Sequence, residues 1–191
     1  MRKKLVSLAV SAAMLVTSLS VPVFASGNSD AAGLSSDTGA VIAFEGAEGG
    51  GMYTEGARGA LNSGEKIEIY RVTSLADSGE GTFRDAVSRG NRIVVFDVSG
   101  YIDLATNVSI THDNMTILGQ TAPGEGVCFR GNNIKVGADN VILRYLRFRV
   151  GDKMADGTDT RAQDGLEITD NCQNVIIDHC SVTWGTDENL S

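Results

Sequence analysis

The sequence predicts an all-β fold, a right-handed parallel β-helix, and three observations carry that expectation. Short β-branched strands recur, each opened by an asparagine: "NRIVVFDVSG" from Asn91, "NMTILGQ" from Asn114, "NVILRYLRFR" from Asn140 and "NVIIDHCSV" from Asn174. The asparagines are 23, 26 and 34 residues apart, the period of a solenoid whose units are too small to bury an apolar side alone. A 3.6-residue period is missing, which argues against helical repeats of similar length. A β-sandwich is the alternative.

Taken in order, the first element is not part of that fold. "MRKK", then "LVSLAVSAAMLVTSL", then "VPVFAS" form a basic region, an apolar region and a small-residue cleavage site, so residues 1–25 read as a secretory signal peptide cut between Ala25 and Ser26. The apolar core, about 15 residues, is short of the roughly 20 that a membrane span needs. A secreted, extracellular protein with no membrane attachment after cleavage is expected. The chain has 16 basic and 24 acidic residues; loss of Arg2, Lys3 and Lys4 with the leader leaves 13 against 24, a net of −11. That balance disfavours nucleic acid or an anionic lipid surface as partner. It also disfavours a polyanionic substrate unless a cation lies between.

Residues 26–40, "SGNSDAAGLSSDTGA", are small, polar and aperiodic, and read as a flexible lead-in. The remaining residues, 41–191, are enough for one core and are assigned to one β-helix domain. Its opening, "FEGAEGGGMYTEGARGA", lacks the Gly-Lys-Ser/Thr ending of a phosphate loop. Backbone folding tightly over an end of the domain is expected there. A single short capping helix is signalled in "GTFRDAVSRG": Thr82 caps it, Asp85 completes a capping box, Phe83, Ala86 and Val87 share a face, and Gly90 ends it. Three cysteines, Cys128, Cys172 and Cys180, are too few for a disulfide scaffold and lack zinc spacing. They read as small buried residues in a stack.

The longest repeat interval carries an insertion, "GDKMADGTDTRAQDG", and solenoid insertions are loops on one face, often the binding face. Asp152, Asp156 and Asp159 in it read as solvated. Asp164 directly precedes the strand "LEIT", where a coil holds it rigidly, and Asp187 and Glu188 lie beyond the next strand. Residues one coil apart stack within roughly 5 Å. Carboxylates brought together in this way repel unless a hard cation takes up their charge, and outside a cell calcium is the natural choice.

The succession "GAEGGGMYTEGARG", "VTSLADSGEGTFRDAV", "RIVVFDVSGYIDL", "TILGQTAPGEGV", "NVILRYLRFRVGD" and "NVIIDHCSVTWGTDE" resembles the pectate lyases of the first polysaccharide lyase family. The resemblance implies a right-handed parallel β-helix that cleaves polygalacturonate, the backbone of pectin, by calcium-dependent β-elimination, as a monomer. A bridging cation neutralises the uronate carboxylate and stabilises the charge that develops when the C5 proton leaves. It also reconciles an acidic enzyme with an acidic polymer.

Carried over by position, Asp164 resembles the family's calcium aspartate and Asp187 the next acidic ligand, with Glu188 beside it able to exchange roles. A second early aspartate of the family falls near Ala162, so a water or Asp159 is expected to compensate. Asp178 and His179 match the "IDH" signature near the cleft, read as an ordering hydrogen-bond pair. Trp184 suits either a sugar contact or the covering of a coil end, and His112 reads as a solvated turn residue. The chain ends within a coil pattern and is expected to be incomplete at its C-terminus. The family's proton-abstracting arginine is therefore expected beyond Ser191, and the 191 residues alone are expected to be inactive. If the base lay within this chain, Arg144, Arg147, Arg149 and Arg161 would be the residues to test. Two other functions compete: a polygalacturonase-like hydrolase using paired aspartates, and a non-catalytic polysaccharide-binding surface protein.

Overall fold

The computed structural model describes residues 41–151, 163–169 and 171–191. The expected leader and lead-in, and Asp152, Asp156, Asp159, Arg161 and Ala162 of the acidic loop, lie outside these residues. Among the described residues no helix is long and apolar enough to cross a membrane.

Twelve short strands form three sheets among the described residues. The first holds β1 (Glu68–Val72), β2 (Arg92–Phe96), β5 (Met115–Leu118), β8 (Val141–Arg144) and β11 (Val175–Asp178). The second holds β3 (Gly100–Asp103), β6 (Val127–Arg130), β9 (Arg147–Arg149) and β12 (Ser181–Thr183). In the third are β4 (Val108–Ile110), β7 (Ile134–Val136) and β10 (Leu166–Ile168), extended by a parallel bridge from Leu166 to Leu190. Every strand pairing is parallel. From β2 onward the chain visits the three sheets in the same order on each circuit, so a strand's neighbours belong to the circuits before and after. This overturns the β-sandwich alternative, whose sheets are antiparallel.

Alternation explains the core. In β2 the inward Arg92, Val94 and Phe96 are buried while Ile93 and Val95 face out. In-register pairing then stacks like on like: Val94, Ile117, Leu143 and Ile177 in the first sheet, Ile102, Phe129, Phe148 and Val182 in the second, Val108, Ile134 and Leu166 in the third. Ring centroids of Phe129 and Phe148 are 5.6 Å apart, and Phe83 reaches in from the helix to 4.5 Å from Phe129.

The recurring asparagines mark one corner of the coil. Asn91, Asn114, Asn140 and Asn174 all take left-handed backbone, with φ between 55° and 62°, a region that asparagine enters at less cost than β-branched residues. Their amides link across circuits: Asn114 Nδ2 donates to Asn91 Oδ1 at 2.9 Å, and Asn140 Nδ2 to Asn114 Oδ1 at 3.1 Å.

The glycine-rich opening packs differently from expectation. It crosses the outer face of the first sheet instead of an end of the domain. A Cβ on Gly51 would lie 2.6 Å from the Val175 carbonyl, one on Gly56 would strike Thr116 and Ile142, and one on Gly59 would strike Asn114. A 3-10 helix at Gly56–Ser63 is tied there by the Ala57 N–H, which donates to Thr116 Oγ1 at 2.9 Å.

The capping helix α1 is shorter than expected, Phe83–Ala86, and ends at Val87 rather than at Gly90. Thr82 caps it by accepting from the Asp85 N–H at 3.3 Å. No reciprocal capping box forms, because Tyr70 Oη donates to the Asp85 carboxylate at 2.5 Å and holds it elsewhere. Buried Arg92 fastens the helix to the first sheet, donating to the Asp85 and Ala86 carbonyls at 2.8 Å and to Glu68.

The cysteines do not stack. Cys128 is buried on β6, Cys172 lies in the turn before β11, and Cys180 at the corner between β11 and β12; all three are free.

Candidate metal centre

Two circuits meet at the corner where the second sheet passes into the third. Asp164 stands two residues before β10, and Asp187 and Glu188 stand at the same corner one circuit later. The Gly165 N–H donates to the Glu188 carbonyl and the Leu166 N–H to the Asn189 carbonyl, both at 3.0 Å, and these bonds fix the register. The approach of the two circuits needs Gly165, and the closure of the turn that carries Asp187 and Glu188 needs Gly185. A Cβ on Gly165 would meet the Asn189 carbonyl at 2.7 Å, and one on Gly185 would strike the Glu188 carbonyl.

The consequence is a cluster of three carboxylates. Asp164, Asp187 and Glu188 each place an oxygen within 4.8 Å of the others, Asp164 half-buried and its partners exposed. Asp164 is the organised member, accepting from Ser191 Oγ at 2.6 Å and from the Glu188 N–H at 3.1 Å. The Ser191 hydroxyl, aided by the Glu188 N–H, holds the Asp164 carboxyl below its ordinary value against some desolvation. The Asp187 charge, then that of Asp164, pushes the Glu188 carboxyl up. Mutual repulsion in a cluster that forms no ion pair with a described basic residue, and that the Lys135 charge eases only at Asp164, is the electrostatic condition that a hard, oxygen-seeking cation relieves. The donor set, all carboxylate oxygen, fits calcium better than zinc or copper.

The face next to this corner carries a pair that the sequence reading did not single out. Lys135 on β7 and Glu167 on β10 are in register and joined at 2.5 Å. Their signal was the in-register position itself, which becomes visible only when the circuits are aligned.

Asp178 and His179 are placed at a different corner, between the first and second sheets. The structure does not bring them together with the acidic cluster, from which β12 separates them in the chain. His179 Nδ1 lies 2.8 Å from Asp178 Oδ1, and Arg144 donates to Asp178 Oδ2 at 2.6 Å. Burial raises the Asp178 carboxyl, but the Arg144 and His179 hydrogen bonds outweigh it and leave it below its ordinary value. The His179 ring stacks on Tyr145, centroids 4.6 Å apart, and the Arg144 guanidinium lies 3.6 Å from the Phe44 ring centre. This network ties the first sheet to the opening segment. Trp184 is 69% exposed beside the acidic turn, and His112 is exposed.

No family model matches the chain. Curated proteins do. A protein of Aspergillus flavus named "Probable pectate lyase C" is 44% identical over 155 residues, which is 81% of this chain and 34% of that protein. Its namesake in Emericella nidulans is 45% identical over the same shares, and that of Aspergillus terreus is 44% identical over 83% of this chain and 35% of its own length. The chain thus spans about a third of the length of these relatives. At this identity over four-fifths of its residues, the chain is a homologue of the fungal proteins named probable pectate lyase C.

Proposed function

We propose that this chain contributes the metal-binding circuits of a secreted, calcium-dependent pectate lyase that cleaves polygalacturonate by β-elimination. The observation that carries the reading is the convergence of Asp164, Asp187 and Glu188 from two successive circuits within 4.8 Å. The fold is proposed to be the right-handed parallel β-helix, because strand-to-parallel-strand crossovers are right-handed in nearly all cases.

Asp164 would anchor the ion, since the Ser191 hydroxyl and the Glu188 N–H already fix its orientation and keep it ionised. Asp187 and Glu188 would close on it from the neighbouring circuit. Calcium when bound would supply neutralisation of the substrate carboxylate, which makes the adjoining C5 proton more acidic. The proton-abstracting base is proposed to be an arginine outside the described residues. Arg144 is committed to Asp178, and Arg147 and Arg149 belong to the second sheet.

The test is an assay of unsaturated uronide, by its ultraviolet absorbance, with the full-length gene product on polygalacturonate. Product that disappears in chelator and returns with calcium is expected. Reducing ends without unsaturated product would replace the lyase by a hydrolase. Asp164→Asn should raise the calcium concentration needed for half activity, through loss of an anionic ligand.

A further inference from the structure

The outer face of the second sheet has a character opposite to that of the acidic corner. Tyr101, Cys128 and Arg147 form one in-register row across β3, β6 and β9, and Asp103, Arg130 and Arg149 the next. Trp184, directly after β12, stands beside them. Two adjoining hollows of about 320 and 230 Å³ share Arg130, Arg149 and Trp184 in their walls. A third, of about 340 Å³, continues from Trp184 to Gly185 and Thr186, the turn that carries Asp187 and Glu188. Together they have the dimensions of a groove for a short oligosaccharide rather than for a single ion.

The charge of this face is positive in a chain whose formal net charge is −8. Arg130 is neutralised by Asp103 through two hydrogen bonds of 2.7 Å. Arg147 and Arg149 are oriented by uncharged acceptors: Arg147 by the Glu125 carbonyl at 2.7 Å, Arg149 by the Phe148 and Ser181 carbonyls and by Ser181 Oγ at 2.6–2.8 Å. Neither forms an ion pair with another described residue. Two fixed guanidinium groups with their charge uncancelled there select an anion, and their planar donors suit a carboxylate.

The aromatic rings add the second half of the recognition. Tyr101 is 56% exposed, with the Arg130 guanidinium 4.1 Å over its ring, and Trp184 is 69% exposed. Trp184 directly follows β12, where the register sets it against Val150 after β9 and Gly131 after β6. Its own backbone is left-handed, with φ 64°. A tryptophan held in that conformation with its ring in solvent is strain that packing does not explain. An exposed indole beside guanidinium groups matches the apolar face and the carboxylate of a uronic acid ring.

We infer that this face is a calcium-independent binding site for a stretch of polyuronate chain, lying beside the acidic corner and leading to it by way of Trp184. The inference rests on the substrate reading above and extends it to a surface outside the metal centre.

Trp184 is the only tryptophan in the sequence, so indole fluorescence of the full chain reports on this face alone. Titration with trigalacturonate in chelator should give a saturable change that weakens as salt is raised, and neutral galactotriose should give none. Arg147→Gln should weaken binding about ten-fold, the loss of one charge-assisted contact, and Arg147→Lys should restore part of it. Arg149→Gln, at the other guanidinium held by uncharged acceptors, provides a second variant should the first fail to fold. An unchanged spectrum, an equal response to the neutral sugar, or parental affinity in the folded arginine variants would overturn the site. Calcium-dependent lyase product without binding in chelator would remove this site and leave the proposed function standing. Binding in chelator without lyase product from the full-length protein would do the reverse.

Discussion

Gly185 shows how little freedom a single residue has inside a tight turn. Its α-carbon faces the Glu188 carbonyl so closely that a methyl group would overlap it, and the obstacle is backbone, which cannot swing aside as a side chain would. Gly185→Ala should therefore displace the turn bearing Asp187 and Glu188, and calcium affinity measured by calorimetry should fall while the circular dichroism of the remaining strands is kept. Asp178 makes a different residue-scale claim. Its folded carboxyl is held below the ordinary aspartate value by Arg144 and His179 against burial, so the stability it contributes is full above the unfolded value of about 3.9 and is lost as pH falls through the folded one. Asp178→Asn should cost about 2–3 kcal/mol at neutral pH, the worth of hydrogen bonds to charged groups. The gap between parent and variant in denaturant unfolding should close as pH drops below about 4.

At the scale of elements, the asparagine corner is the feature whose removal reads most directly. Asn114 both donates to Asn91 and accepts from Asn140, and its φ is 62°. Asn114→Ala should lose both amide contacts, each worth about 1 kcal/mol, and add the cost of left-handed backbone, about 1–2 kcal/mol for an ordinary residue. Asn114→Gly should recover the backbone part only, and urea midpoints of the two variants separate the contributions. These asparagines were also what made the circuits legible in sequence, because one residue type solved the same corner four times. The alternation behind the core was equally readable, as in "RIVVF". Other elements left weaker traces. The second and third sheets use strands of three or four residues, too short for a period to stand out, and their register depends on partners a whole circuit away. The capping box failed because Tyr70, 15 residues before Asp85, outcompeted the Thr82 backbone for its carboxylate. The acidic residues themselves were visible in the chain. The glycines that let them converge were not distinguishable from turn glycines until the opposing carbonyls were in place.

For the whole molecule, the charge balance sets what a bound ion does to stability. The chain is formally −8, and three of its acids are gathered at one corner where the like charges of Asp187 and Asp164 already push the Glu188 carboxyl up. Folding thus brings together charges that the unfolded chain keeps apart, and a ligand that binds only the gathered form must stabilise it. At a calcium concentration 100 times its dissociation constant the gain should be about 2.7 kcal/mol, visible as a raised midpoint of thermal unfolding that chelator reverses. Magnesium should do less, because it demands near-octahedral geometry and sheds water reluctantly, whereas this corner supplies one fixed carboxylate and two exposed ones. General screening would also ease repulsion, so sodium chloride at matched ionic strength separates the two causes. A calcium shift that survives this control and shrinks in Asp164→Asn assigns the gain to the corner. A shift reproduced by salt alone would mean that the three carboxylates share only the diffuse charge of the surface, and that the ion is not held by them.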